Sequence, residues 1–185
     1  MNPARSLALV VLLSWPLQPL DDAARAWVQS HRAPESDRVM QVVSSRSRHL
    51  LIAGTVVAAL SGAAGRAFAA EALIALVPVN LAVEVLKWTV ARTRPDGDTH
   101  RRNSSFPSSH AANAFAVAAV LVRRWRRALL PAGLAAGLVA YSRMALDRHW
   151  LTDILGALVL ALAGAWFAAH MLRLWRDRKS VVQAG

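Results

Sequence analysis

Residues 68–86 read FAAEALIALVPVNLAVEVL, and residues 87–95 continue as KWTVARTRP. The first stretch is long and apolar enough to cross the hydrocarbon core of a bilayer, which takes about 20 such residues in a helix. The second turns polar at once, with Lys87, Arg94 and Pro95 set where a membrane helix would leave the lipid. An apolar span that ends in fixed cations decides two things: the fold is membrane-embedded, and that end of the span has work to do.

Working outward, the same pattern recurs. Further candidate spans are about Ser6–Leu20, Leu50–Ala64, Ser109–Val122, Ala128–Tyr141 and Leu151–Leu172. The expected architecture is an all-α, six-span transmembrane bundle, one membrane-embedded domain over residues 1–185. Residues 21–49, rich in both charge signs, read as short amphipathic helices along the outer membrane surface. Residues 177–185 read as a frayed tail. The first span is short and broken by Pro16 and Pro19. A cleaved signal is its other reading, although Asp21 and Asp22 interrupt it and no prompt small-x-small cleavage site follows. Gly133 and Gly137 form a small-xxx-small pair in the fifth span, and Gly156 and Gly164 lie in the sixth, where small residues let backbones approach.

Composition agrees. Apolar residues make up 55% of the chain while Lys and Arg outnumber Asp and Glu by 22 to 11. Nucleic-acid binders spread such charge over a polar surface; here it is grouped between apolar runs. The chain has no Cys, which excludes disulfides and thiolate metal sites. Trp15, Trp27, Trp88, Trp125, Trp150 and Trp175 stand near the ends of apolar runs, where indole favours the interface; Trp166 lies inside one. The clusters Arg123–Arg127 and Arg173–Lys179 read as cytoplasmic, the first also in contact with anionic headgroups. Both termini are then inside, and residues 21–49, 87–108 and 142–150 share the outer face.

Three polar segments on that face carry chemistry: Lys87 to Pro95, Phe106 to His110, and Ser142-Arg143 followed by His149 and Asp153. Ionisable groups at a membrane's edge are costly and mark function. A phosphoryl group needs cations and N–H donors around its oxygens and a nucleophile in line with its phosphorus. Lys87, Arg94 and Arg143 supply the cations, and the Pro107-Ser108-Ser109 turn opens a helix whose free N–H groups favour anions. His149 and Asp153, four apart, would share a helical face, so the carboxylate could accept one imidazole N–H and leave the other nitrogen free to attack. His110 remains to protonate a leaving oxygen and then activate water. Blander roles exist for each: Lys87 and Arg94 as snorkelling anchors, His110 as a packing residue, Asp153 as a helix-dipole partner. Asn80 and Glu84 either hydrogen-bond between helices or line the site's floor. Asp96, Asp98, His100, Arg101 and Arg102 read as solvated, and His31, His49 and His170 as incidental.

The three segments resemble the signature of the type 2 phosphatidic acid phosphatase superfamily. Lys87, Arg94 and Pro95 match its first motif. Pro107, Ser108 and His110 match the second, with Ser109 where the family has Gly. Ser142, Arg143, His149 and Asp153 match the third in full. The resemblance implies phosphate binding by Lys87, Arg94, Ser108, Ser109 (through its backbone) and Arg143. It also implies His149 as nucleophile, Asp153 as its partner and His110 as general acid, with neither metal nor cofactor in the hydrolysis. The expected partners are a lipid phosphate and the bilayer, not nucleic acid, and the oligomeric state is open. The expected protein is a multi-pass lipid phosphatase of a bacterial inner membrane with its site on the periplasmic face. Undecaprenyl diphosphate is the first substrate choice; phosphatidic acid or phosphatidylglycerol phosphate is the alternative. A non-enzymatic lipid-binding protein of the same fold would be expected to have lost a motif residue. A vanadate-dependent oxidase would be expected to carry a large soluble scaffold.

Overall fold

The computed structural model describes residues 15–98 and 104–184. A 3-10 turn, Trp15–Leu17, leads into α1 (Gln18–Ser30). There follow α2 (Pro34–Leu60), α3 (Ala63–Val90), α4 (Ser109–Arg124), α5 (Leu129–Ala145) and α6 (Leu151–Ala184), with a second 3-10 turn, Arg126–Ala128, before α5. No strand occurs among the described residues, so the all-helical expectation holds.

Among the described residues, three helical stretches are long and apolar enough to cross a membrane: Ala63–Val90, Arg126–Ala145 and Leu151–Ser180. At α4 length falls short. Its 16 residues give a rise of about 24 Å, less than the roughly 30 Å hydrocarbon core. The position of α4 makes this tolerable. It packs against α2, α3, α5 and α6, and Ala111, Ala112, Ala116 and Val120 on it are fully buried. It is the bundle's central post, and its neighbours meet the lipid.

The packing is the inverse of a soluble protein's. On α3 the buried face carries Ala72, Ala75, Val79 and Val83, while Leu73, Val77, Leu81 and Val85 point outward. On α6 Ala157, Ala161, Ala165 and Ala168 face inward, and Leu155, Val159, Leu162 and Trp166 outward. Lipid solvates large apolar side chains as well as a core does, so close helix approach selects the small ones for the inside. Gly164 marks the tightest contact: a Cβ there would lie 2.3 Å from the Val79 side chain and 3.0 Å from the Ala75 carbonyl oxygen. At Gly133 and Gly137 a Cβ would meet nothing within 4 Å, so that pair joins no helices among the described residues.

Several boundaries differ from expectation. The first expected span lies outside the described residues up to position 14; its end, 15–20, forms the 3-10 turn and the start of α1. The first part of the expected surface segment falls in α1, while its remainder from Pro34 and the expected second span are one continuous helix, α2, because no Pro or Gly interrupts residues 35–53. That helix stops at Leu60, short of the expected Ala64, where Gly62 adopts φ 112°, a conformation suited to glycine. At the other end α6 runs on through Ala184 instead of ending at Leu172.

Candidate active site

The motif residues meet at one end of the bundle, where α3 and α5 finish and α4 and α6 begin. A cavity of about 770 Å³ there is lined by Lys87, Arg94, Ser109, His110, Arg143 and His149, among others. Ser108 and Asp153, both fully buried, stand behind this lining. All eight expected site residues therefore gather at one place.

Local structure explains each position. Ser108 caps α4: its hydroxyl oxygen accepts from the Ala111 N–H at 3.4 Å, which leaves the hydroxyl hydrogen free to donate. Ser109 and His110 open the first turn, where backbone N–H groups lack intrahelical acceptors. The peptide bond before Pro107 is cis. Lys87 and Arg143 sit in the last turns of α3 and α5, where the helix dipole favours cations. After α5 the chain reverses through Asp147 at φ 51°. The N–H groups of Arg148 and His149 both donate to the Arg143 carbonyl oxygen, at 2.9 and 3.2 Å, which holds the imidazole beside the guanidinium.

A buried network ties the three motif segments together. The Ser105 N–H donates to the Arg92 carbonyl at 2.8 Å, and the Arg92 N–H donates to Ser104 Oγ at 3.0 Å. Trp150 Nε1 donates to the Thr93 carbonyl at 2.9 Å, anchoring the strand of chain that carries Arg94. Asp153 is the hub. Its Oδ1 accepts from Arg92 Nη1 at 2.7 Å. Its Oδ2 accepts from the Ser105 hydroxyl and, at 2.8 Å, from the Trp150 N–H at the start of α6. The last bond is half of a capping box. Arg92 in turn donates to Asp21 Oδ2 at 2.5 Å, and Asp21 accepts from Thr152 N–H at 2.9 Å and Thr152 Oγ1 at 2.7 Å. Asp21 is 0% exposed and Arg92 7%, so this is an ion-pair chain removed from solvent.

The expected partner of His149 differs in detail. Nδ1 lies 2.7 Å from the Ser105 carbonyl oxygen, whereas Asp153 Oδ2 is 3.6 Å away. His149 precedes α6 rather than lying in it, so the shared helical face inferred from the spacing does not form. A carbonyl oxygen only accepts, so Nδ1 carries the hydrogen and Nε2 is left with a lone pair. Burial pushes the His149 imidazolium below its ordinary value of 6.5, with Asp153 opposing and Arg143 and Arg94 reinforcing. His149 thus rests neutral beside its cations.

Further residues emerged only from the structure. Arg143 Nη1 donates to Ser44 Oγ on α2, and Arg143 Nε is buried without a partner. Arg48 and Arg38 on α2 also line the cavity. Asp21 had been visible as an interruption of the first apolar run, and Arg92 sits inside the first motif; nothing local linked them to Asp153. Asp96 pairs with Arg148 at 3.1 Å and is not simply solvated. Asn80 Nδ2 bridges to Asn113 Oδ1 on α4 at 2.9 Å, an interhelical bond, and Asn80 and Glu84 line the adjoining apolar cavity rather than the one that holds His149. At the far end of the bundle, buried Glu71 accepts from Arg123 Nε at 2.6 Å and Arg124 Nε at 3.0 Å. Those two arginines hold a buried carboxylate, a role that their reading as headgroup contacts did not include.

The sequence model of the PAP2 superfamily, the type 2 phosphatidic acid phosphatases, matches residues 68–177. The chain belongs to the PAP2 superfamily. A PAP2 relative, phosphatidylglycerophosphatase B of Bacillus subtilis (strain 168), is 35% identical over 92 residues, covering 43% of this chain and 45% of that one. The chain thus aligns with less than half the length of that curated relative. Among solved PAP2-like folds, Aquifex aeolicus LpxE superposes with a TM-score of 0.72 at 18% identity, over 82% of this chain and 95% of that one. The first transmembrane PAP2-type phosphatidylglycerolphosphate phosphatase from Bacillus subtilis gives 0.67 at 22% identity, over 91% and 96%. At these identities the superpositions establish the PAP2 membrane fold.

Proposed function

We propose that the chain is a lipid phosphatase that works through a phosphohistidine on His149. One observation carries the reading: an imidazole held through Nδ1 by the Ser105 carbonyl shares a cavity with Lys87, Arg94, Arg143, Ser109 and His110, and that cavity adjoins an apolar one through common lining residues. A phosphate seated among the cations places its phosphorus before His149 Nε2. Attack forms an N–P bond and breaks the P–O bond to the leaving group, whose oxygen takes a proton from His110. The imidazolium that forms is stabilised by Asp153. Water then gives a proton to His110 and its oxygen to phosphorus, releasing inorganic phosphate and His149. Lys87, Arg94 and Arg143 supply the positive charge that a metal ion would otherwise bring to the phosphate, so in this reading hydrolysis proceeds without a metal ion and a chelator leaves turnover unaffected.

The substrate's apolar part lies between α2 and α3, in the apolar cavity, so the headgroup enters sideways from the bilayer. The first substrate is undecaprenyl diphosphate, hydrolysed on the periplasmic face of a bacterial inner membrane with both termini in the cytoplasm. The likeness to phosphatidylglycerophosphatase B of Bacillus subtilis favours phosphatidylglycerol phosphate as a second reading. The test is phosphate release by purified protein from a panel of lipid phosphates and diphosphates, with and without chelator, beside His149→Ala. Release at the wild-type rate by the variant would refute the mechanism, and equal activity on a soluble aryl phosphate and every lipid would refute the lipid assignment. A Cys placed at Asp98 labelled by an impermeant thiol reagent only after membrane rupture would reverse the orientation.

A further inference from the structure

One face of α2 changes character along its length. Gln41, Ser44, Ser45 and Arg48 line the polar cavity. Continuing in steps of three and four, Arg48, Leu51, Ile52, Thr55, Val56 and Ala59 line the apolar cavity of about 600 Å³. The spacing keeps them on a single helical stripe. The facing helices change in parallel: α3 from Lys87 through Glu84 and Asn80 to Leu76 and Leu73, α4 from Ser109 through Asn113 to Val117. Arg48, Lys87 and Ser109 line both cavities. Any ligand that reacts at His149 and stores its chain in the apolar cavity must pass between Arg48 and Lys87.

The charges around this passage exceed what one phosphate requires. The two cavities are lined by Arg38, Arg48, Lys87, Arg94, Arg143 and Arg148, with Glu84 as the one carboxylate. Arg148 is engaged by Asp96, and Lys87 shares the α3 face of Glu84. Among the described residues no acidic side chain pairs with Arg48. It is an exposed cation at the neck where polar lining gives way to apolar.

We propose that Arg48, at the neck joining the two cavities, forms a second anion subsite on the lipid side of the reacting phosphate, selecting lipids that carry two phosphates. This rests on the reading of the chain as a lipid phosphatase. A lipid diphosphate places its inner phosphate in the neck, and a lipid with a phosphodiester beyond a terminal phosphate presents the same anion there. A lipid monophosphate presents only an ester oxygen. Arg48 grips the inner phosphate with charge-assisted hydrogen bonds, and in the diphosphate case it also neutralises charge on the leaving group.

The test compares wild type with Arg48→Ala and Arg48→Lys in detergent. The readout is kcat/KM for polyprenyl diphosphate and for phosphatidylglycerol phosphate, each divided by that for a matched lipid monophosphate. Both ratios fall about tenfold to hundredfold in Arg48→Ala, with partial recovery in Arg48→Lys. Recovery in one ratio alone assigns the subsite to that headgroup. Calorimetric binding of a non-hydrolysable lipid bisphosphonate against a monophosphonate reads the same selectivity without turnover. Unchanged ratios in both measurements overturn the subsite. A wild type that hydrolyses no lipid, yet loses bisphosphonate selectivity in Arg48→Ala, keeps the subsite and overturns the phosphatase reading instead.

Discussion

The Nδ1 atom of His149 is 2.7 Å from the carbonyl oxygen of Ser105, closer than to any atom of Asp153, whose Oδ2 is 3.6 Å away. A backbone carbonyl therefore sets the tautomer, and the carboxylate acts on the ring through charge. Where a carboxylate alone fixes a catalytic imidazole, its amide variant can invert the tautomer at a cost near 10⁴-fold. Here the Ser105 carbonyl still demands a hydrogen on Nδ1. Asp153→Asn is expected to lower kcat by about 10²-fold, with the Nδ1-protonated tautomer retained in ¹⁵N NMR spectra. A loss equal to that of His149→Ala, or an inverted tautomer, would assign the orienting role to Asp153.

Asp153 is itself held by Arg92, and Arg92 by Asp21, in a chain closed to solvent. Removing one member of a buried ion-pair network leaves an uncompensated charge and costs about 3–5 kcal/mol. Asp21→Ala is expected to lower the thermal midpoint strongly in detergent and to reduce kcat more than it raises KM, since Asp21 touches no substrate. Arg92→Lys is expected to be nearly as damaging, because one ammonium cannot replace the guanidinium that reaches Asp21, Thr152 and Asp153 at once.

His149 binds a proton less readily in the folded chain than in the unfolded one, mainly because it is buried. The neutral, nucleophilic form therefore persists below pH 6.5, where an exposed histidine is already substantially charged. NMR titration of the substrate-free protein should place the His149 transition below that value. Linkage has the matching sign: where the unfolded chain binds more protons, stability falls as pH is lowered. The contribution of His149 is complete above pH 6.5 and declines below it. A transition at or above 6.5 would contradict the neutral resting state.

Glycine positions separate packing from mere sequence pattern. Gly164→Ala forces a methyl group against Val79 and the Ala75 carbonyl and is expected to cost about 1–3 kcal/mol. Gly156→Ala meets the Phe106 ring at 2.5 Å, next to the turn that carries Ser105 and Ser108, and should lower activity as well as stability. Gly133→Ala and Gly137→Ala meet open space and should stabilise α5 slightly, by about 0.5–1 kcal/mol. Thermal melts of the four variants check the order.

Much of this was legible beforehand, for identifiable reasons. The apolar runs from Ser109 and Leu151 are sharply bounded, so α4 and α6 begin at their expected residues, whereas α3 begins at Ala63, ahead of the expected Phe68. Lys87, Arg94, Ser108, His110, Arg143, His149 and Asp153 carry their chemistry in their spacing, and the fold gathers them. What the sequence could not express was contact across long separations. Asp21 and Arg92 lie 71 residues apart, and Glu71 and Arg123 lie 52 apart; burial alone makes these pairs necessary. The continuity of α2 was hidden because charge in its first half resembled a surface segment. The Gly133–Gly137 spacing suggested packing that no described residue supplies.

The most direct measurement is a rapid-quench experiment with lipid substrate ³²P-labelled at its terminal phosphate, stopped in alkali and mapped by peptide. The expected result is a transient label on the peptide carrying His149, stable to base and lost in acid, absent from His149→Ala, with turnover in that variant reduced by about 10⁴-fold or more. Label on another residue, or His149→Ala turning over at the wild-type rate, would contradict the assignment of His149 as nucleophile.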